Sequence, residues 1–171
     1  MHIISESTFV EALTHWGVSE VGRRKNNAPP CDPTDEQACL NHILSYRSPY
    51  VSRVIERGPV KTYKVAFDIK DIECLLLADS RPIQEWIKDT QTAGGESLEY
   101  FNSLVEEPDL IRGHLFCAAK ILKTKPLELS TIVIYDGWHR VAAWVINTQQ
   151  QDMQPIEAYL TITKKEDRFF K

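Results

Sequence analysis

The stretch IVIYDGWHRVAAW, from Ile132 to Trp144, decides the fold that we predict for this chain. It opens with β-branched and aromatic residues, which are typical of a buried strand. Asp136-Gly137 follows, and because glycine accepts a positive φ, this pair predicts a tight turn. His139 and Arg140 then fall in the first turn of a predicted helix. The stretch therefore predicts a strand, a glycine turn and a helix in direct succession.

The predicted turn has the chemistry of a phosphate-binding site. The N-terminus of a helix presents backbone N–H groups and the positive end of the helix dipole, so it favours anions. His139 and Arg140 add protonatable and charged donors at the same place, although both could also belong to a solvated helix start. Trp138 could stack on a base or cap the core. Asp136 is either a turn residue or a carboxylate that holds Mg²⁺.

Residues 136–143, DGWHRVAA, resemble the D-G-x-H-R-x-x-A signature of the ParB/sulfiredoxin-like superfamily. The segments on either side agree with this resemblance. KPLEL at 125–129 is similar to the strand that precedes the signature in that family, and QPIEAYL at 154–160 is similar to the strand that follows it. The resemblance extends over residues 60–163 and leaves the first third of the chain without a counterpart.

The resemblance implies an α/β (α+β) fold, a small mixed sheet with flanking helices, to which this chain adds an N-terminal helical extension. It also implies that ATP or another nucleoside triphosphate binds with Mg²⁺ at Gly137, Trp138, His139 and Arg140. The family includes sulfiredoxins, chromosome-partitioning CTPases, a free-serine kinase and Osa-like fertility-inhibition proteins linked to ATPase and DNase activity. Sulfiredoxins carry a reactive cysteine where this chain has Trp138, so reduction of sulfinic acids is not expected.

The leading hypothesis is an enzyme that hydrolyses ATP or cleaves phosphodiester bonds and acts against plasmid or DNA transfer. His139 would be a phosphate ligand or general acid, Arg140 would stabilise the charge that develops in transfer, and Asp136 would orient a metal ion or water. One alternative is a kinase for a free amino acid or other small molecule, with an acidic base between Glu73 and Glu85. Another is a non-enzymatic interaction protein with a vestigial nucleotide site, whose protein partner docks on the N-terminal helices.

The family fold also implies a second nucleotide contact, at the first connection between a strand and a helix. Asp79, Ser80 and Arg81, directly before Pro82, are the candidates for that contact. Proline is favoured in the first turn of a helix, which is the reason for placing the connection here. Arg81 could equally be a residue of an exposed loop.

The chain changes character near residue 58. We predict a helical extension over 1–58 and a nucleotide-binding domain over 59–171. In the extension, Ser7 is the predicted N-cap of a first helix and Gly17 its predicted end. The other predicted elements are helices over 34–46, 48–58, 82–93, 98–122 with a break near Pro108, and 141–146, and strands over 60–68, 127–135 and 156–162.

Composition limits the classes of function further. The 171 residues are 43% hydrophobic and 26% charged, which fits one domain and excludes a disordered or low-complexity protein. A formal net charge of −4 argues against a protein whose main task is to grip a nucleic-acid backbone. Basic clusters at 23–25 and 120–125 could still contact DNA or an acidic partner. Because the sequence shows neither a membrane-spanning apolar run nor a signal-peptide pattern, we expect a cytoplasmic protein with no membrane contact.

The chain has four cysteines, Cys31, Cys39, Cys74 and Cys117. They are scattered, and free thiols are expected in a reducing compartment. Cys39-x-x-His42 and His114-x-x-Cys117 each place two metal ligands one helical turn apart, so a zinc site is an alternative reading. The competing reading is that these cysteines are small core residues.

Overall fold

The computed structural model describes residues 1–22, 31–93, 95–111, 114–124, 127–149 and 152–166. Within these ranges the fold is mixed α/β with a mixed sheet and flanking helices, which confirms the predicted fold class. None of the helices in this part of the chain is long and apolar enough to cross a membrane. The basic cluster at 23–25 and residue 125 of the second cluster lie outside the described residues.

The helices are α1 (Phe9–Gly22), α2 (Glu36–Tyr46), α3 (Ser48–Glu56), α4 (Ile83–Ala93), α5 (Glu96–Glu106) and α6 (Trp138–Thr148). The strands are β1 (His2–Ser7), β2 (Pro59–Phe67), β3 (Leu75–Leu77), β4 (Leu115–Thr124), β5 (Leu127–Leu129), β6 (Ile132–Asp136) and β7 (Ile156–Thr163). Two short 3₁₀ helices, Ile69–Cys74 and Pro108–Leu110, precede β3 and β4.

The strand order in the sheet is β1-β2-β7-β4-β6-β3, with β5 paired onto β4. The pairs β4–β7 and β3–β6 are parallel, and the other pairs are antiparallel. As a result, the carboxyl ends of β3 and β6 lie at the same edge as the amino ends of β4 and β7. We call this edge the turn edge, because the turn after Asp136 lies there.

Helices cover both faces of the sheet, and β4 shows this most clearly. Phe116 and Ala118 of β4 belong to a core shared with α1, α2 and α3, whereas Leu115, Cys117 and Ala119 belong to a core shared with α4, α5 and α6. Successive side chains of a strand point to opposite faces, so residues 115–119 of β4, which lie between the two cores, are all apolar.

This burial explains one wrong prediction. The sequence predicts helix over 98–122, and the helical part ends with α5 and a 3₁₀ turn, after which residues 115–124 form strand β4. A continuous apolar run has no alternation that would distinguish a strand from a buried helix. The prediction failed because hydrophobic periodicity cannot distinguish a strand from a helix when both faces of the strand are buried.

The first part of the chain contributes a strand as well as helices. β1 pairs antiparallel with β2, with His2 opposite Ala66 and Ser7 opposite Thr62. The sequence predicts no strand there, since the residues of β1 are almost all exposed and give no apolar alternation. Buried Trp16, together with residues of α2 and α3, packs on the same sheet. The division near residue 58 stays a prediction about how the chain is organised.

Gly17 has a different role from the predicted one. Helix α1 does not end there but continues to Gly22. A Cβ atom at Gly17 would lie 2.7 Å from the carbonyl carbon of Cys39 and closer still to its oxygen. The glycine therefore allows α1 and α2 to approach each other backbone to backbone.

We expect Gly17→Ala to lower the free energy of unfolding by about 1–2 kcal/mol. Alanine gains about 1 kcal/mol in helix propensity, but overpacking costs about 1–3 kcal/mol, and here the obstacle is backbone that no rotamer change can move. The measurement is urea unfolding followed by circular dichroism. Val10→Ala is the control, because Val10 is 58% exposed on the same helix and should change stability little. Equal or greater stability of Gly17→Ala would contradict the proposed close approach.

Candidate functional site

The turn after β6 has the predicted conformation. The strand ends at Asp136, Gly137 has φ +94°, and α6 begins at Trp138. The N-cap residue of this helix is Gly137 itself, which has no side chain with which to cap it. A Cβ atom at Gly137 would overlap the side chain of Leu115 and lie 3.0 Å from Nη2 of Arg140. Glycine is required here by the positive φ and also by the packing beneath the turn.

Arg140 and Asp136 form a buried ion pair under this turn. Nη2 of Arg140 donates to Oδ2 of Asp136 at 2.7 Å, and the two side chains are only 2% and 7% exposed. The sequence predicts that Arg140 faces a phosphate, whereas in this structure its guanidinium lies inside the protein against Asp136. Arg140 therefore acts first as the counter-ion of a buried carboxylate.

The same pair bears on the predicted magnesium site. Asp136 already accepts a charge-assisted hydrogen bond from Arg140, which does not favour it as a metal ligand. Among the described residues, no group of three or more His, Cys, Asp or Glu side chains is arranged to hold a metal ion. The donor set at the turn therefore does not fit a resident Mg²⁺, and the proposal below derives no step through a metal.

A cavity of about 570 Å³ opens at the turn. This size is within the range of pockets that take small molecules and cofactors. One wall consists of the turn and the sheet, another of α5, and a third of the N-terminal helices. The lining residues are Glu20, Tyr46, Arg47, Tyr50, Tyr100, Tyr135, Asp136, Gly137, Trp138 and His139. The N-terminal helices thus form part of the candidate site.

The aromatic walls of the cavity are held in place by contacts outside it. Nε1 of Trp138 donates to the carbonyl of Ile134 at 3.0 Å. Nη1 of buried Arg57 donates to the hydroxyl of Tyr135 at 2.9 Å. The ring of Tyr50 lies edge-on to that of Tyr135, with 6.3 Å between ring centroids. These contacts fix the positions of the rings of Trp138, Tyr135 and Tyr50 at the cavity wall.

Two cationic or protonatable side chains reach the cavity from opposite sides. Half-buried His139 has its ring 4.9 Å from that of Trp86 and 5.2 Å from that of Tyr100. On the other side, Nη2 of Arg47 lies 3.2 Å from each carboxylate oxygen of Glu20. The guanidinium of Arg47 at the cavity wall is therefore paired with the carboxylate of Glu20, which lines the same cavity.

Ser80 and Arg81 are not among the residues that line this cavity. Their loop follows β3 at the turn edge, and Ser80 has a positive φ of 73°. The guanidinium of Arg81 forms ion pairs with Asp79 at 2.6 Å and Asp89 at 2.8 Å. A nucleotide contact from these two residues stays a prediction that the geometry does not favour.

The wall residues from α1 to α5 were missed by the sequence reasoning. Glu20, Tyr46, Tyr50 and Tyr100 lie on helices far from the turn in sequence, and Arg47 is the residue between α2 and α3. No local motif joins them to residues 136–140, and only the packing of the N-terminal helices on the sheet brings them there. Aromatic residues near helix ends were the available signal, but such residues are common in cores.

The residues of the predicted zinc alternative have other neighbours. His42 stacks on Tyr46 at 5.3 Å, and Cys117 is fully buried in the core under α6. Nε2 of His114 lies 2.8 Å from Oε2 of Glu157, which also accepts from Nζ of Lys64 at 2.9 Å. Within the described residues the two Cys/His pairs therefore do not form a metal site.

No family model, no curated protein and no solved structure matches this chain. The likeness of residues 136–143 to the ParB/sulfiredoxin-like signature therefore stays a resemblance of motif. The candidate site is therefore defined by its geometry alone. A glycine turn lies over a buried ion pair, and the turn opens onto a cavity lined by aromatic residues.

Removing one partner of the buried ion pair should destabilise the fold. We expect Arg140→Met to lower the free energy of unfolding by about 3–5 kcal/mol, because it leaves the Asp136 carboxylate buried without its counter-ion. The double variant Asp136→Asn/Arg140→Met should lose less than the sum of the two single variants, since the buried charge is then absent. Urea unfolding of the three variants measures this coupling. Strictly additive losses would show that the pair does not act as a unit.

Acidification should destabilise the protein through His114. Burial lowers the pKa of His114 from its usual 6.5, Lys64 and His15 act in the same direction, and Glu157 opposes them. The unfolded chain therefore protonates this imidazole at a higher pH than the folded protein does, so stability falls as the pH drops through 6.5. The measurement is Tm from about pH 7.5 to about pH 5.5. His114→Gln should flatten this part of the profile, whereas His2→Gln, at an exposed position, should leave it unchanged. A His114→Gln profile like that of the wild type would contradict this reading.

Proposed function

We propose that this protein binds a nucleotide in the cavity at the turn edge and cleaves a phosphate bond of that ligand. The observation that carries the proposal is that the predicted phosphate-binding turn opens onto a cavity with aromatic walls, which Arg47 and His139 also line. The resemblance of residues 136–143 to the ParB/sulfiredoxin-like signature supports the same ligand class.

The phosphate end of the ligand would lie at the start of α6. Gly137, Trp138 and His139 line the cavity, and the helix begins at Trp138 with Gly137 as its N-cap. Backbone N–H groups at such a terminus, together with the helix dipole, favour an anion. Arg47 on the facing wall would add a charge-assisted hydrogen bond to a phosphate oxygen.

The base of the nucleotide would lie against the aromatic wall. Tyr46, Tyr50, Tyr100 and Trp138 line the cavity, and aromatic faces stack on any base. Because stacking is tolerant of base identity, this wall supports the nucleotide class and leaves the choice between ATP, CTP and GTP to the binding experiment.

His139 lines the cavity, and its imidazole is able to donate or accept a proton. We propose that it protonates the leaving oxygen or binds a phosphate oxygen during hydrolysis. Arg140 acts on the turn from below, where its bond to Asp136 holds the backbone that presents His139. Magnesium bound to the nucleotide would neutralise phosphate charge, and the proposal gives that ion no protein ligand.

A second candidate function is binding without turnover. It is favoured by the pairing of Asp136 with Arg140, which leaves these two signature residues engaged with each other. The kinase alternative requires an acidic base at the site, but Glu85 is exposed on α4 and does not line the cavity. The side chain of Glu73 lies outside the described residues.

The first test is thermal unfolding with ATP, ADP, CTP and GTP, each with and without Mg²⁺. A ligand at 100 times its Kd should raise Tm by about 5 °C or more. Arg47→Gln and His139→Gln should reduce that rise, because each removes a donor from the cavity wall. Arg81→Gln is the matched control, since Arg81 is a cation at the same sheet edge that does not line the cavity.

Turnover then separates the two candidates. Phosphate release from the bound nucleotide, or nicking of plasmid DNA, that is lost in His139→Gln would support the enzyme. Binding that depends on Arg47 with neither activity would support the binding protein. No Tm shift with any nucleotide, or an equal loss in Arg81→Gln, would contradict the proposed site.

A further inference from the structure

Two cysteines stand side by side at the beginning of α2. Sγ of Cys31 lies 3.8 Å from Sγ of Cys39, and both are free thiols. The thiol of Cys39 also donates to the carbonyl of Asp32 at 3.5 Å. The sequence separation is short, but Cys39 is in the first turn of a helix and Cys31 is in the loop before it.

The loop between them is held against the helix by hydrogen bonds. The carboxylate of Asp35 caps α2 by accepting from the backbone N–H of Ala38 at 3.0 Å. The N–H of Asp35 donates to the carbonyl of Asp32 at 3.0 Å, and the carboxylate of Asp32 accepts from the N–H of Thr34 at 2.8 Å. The two thiols are therefore kept together by a structured turn and not by chance proximity.

The two thiols differ in access. Cys39 is fully buried against α1, whereas Cys31 is half-buried and reachable from solvent. Burial, a hydrogen bond with Cys31 and the charges of Asp35 and Asp32 raise the pKa of Cys39 to about 11. Since the thiolate is the reacting form, attack on an external disulfide falls to Cys31.

We infer that Cys31 and Cys39 form a reversible dithiol–disulfide site that is oxidised by a low-molecular-weight disulfide such as glutathione disulfide. This inference is independent of the proposed nucleotide site. The two sulfur atoms must close from 3.8 Å to the sulfur–sulfur bond length of about 2.05 Å.

The reaction has two balanced exchange steps. The Cys31 thiolate attacks one sulfur of glutathione disulfide, which forms a mixed disulfide and releases one glutathione thiolate. Cys39 then loses its proton and attacks Sγ of Cys31, which forms the internal disulfide and releases the second glutathione thiolate. The two thiol protons pass to the released glutathiones, so the protein is oxidised by two electrons and glutathione disulfide is reduced.

Oxidation would form a disulfide at the amino end of α2, and the carboxyl end of the same helix reaches the cavity. Cys39 lies in the first turn of α2, and Tyr46 at the end of α2 lines the cavity with Arg47. The backbone of Cys39 also contacts Gly17, so the disulfide would form next to the contact between α1 and α2.

The test is incubation of the full chain with glutathione disulfide, followed by intact-mass measurement and a non-reducing digest. We expect the mass to fall by two hydrogen atoms and one peptide pair to link Cys31 with Cys39. Cys39→Ser should stop at one glutathione adduct on Cys31, and Cys39→Ala repeats this test if the serine variant misfolds. Cys31→Ser should form no internal disulfide, whereas Cys117→Ser should react like the wild type.

The same experiment can overturn the inference. A stable glutathione adduct on Cys31 in the wild-type chain would show that Cys39 does not resolve it. A disulfide that links another pair of cysteines, or no reaction under conditions that modify a small-molecule thiol, would also exclude the site. The second exchange step should become faster as the pH rises, because more Cys39 is then a thiolate, and a rate independent of pH would contradict the proposed role of Cys39.

Discussion

The buried ion pair between Asp136 and Arg140 is the constraint on which the arrangement at the turn edge depends. A carboxylate and a guanidinium, both shielded from water, must stay together, and the glycine between them is what lets the chain reverse direction over them. The strand before the pair and the helix after it are therefore fixed relative to each other. The ion pair therefore also fixes the position of the cavity wall that includes His139.

A sheet with helices on both faces places a second demand on the sequence. Strand β4 contributes side chains to both cores. These side chains alternate between the layer of α1 to α3 and the layer of α4 to α6. The N-terminal helices thus complete a core and, at the same time, supply Tyr46, Arg47 and Tyr50 to the cavity. The contacts that pack the N-terminal helices on the sheet therefore also position these residues at the cavity.

Sequence reasoning succeeded where local chemistry decides the structure. The turn at Gly137, the helix after it and strand β2 all follow from turn residues or from apolar period, and the structure confirms them. It failed at β4, because that strand shows no hydrophobic alternation. It also failed at Gly17, because the backbone of another helix, α2, lies against this glycine. For the candidate site, the turn was predictable from the signature, but the opposite wall was not, because tertiary packing alone brings it there.

The position of β7 in the sheet has a consequence for how the protein is made. β7 follows the other strands in sequence, yet it lies between β2 and β4, near the middle of the sheet. Neither neighbour has its full set of ladder hydrogen bonds until residues 156–163 have left the ribosome. The two ladders that include β7 can therefore form only after residues 156–163 have been synthesised, and contacts between residues so distant in sequence favour slow folding.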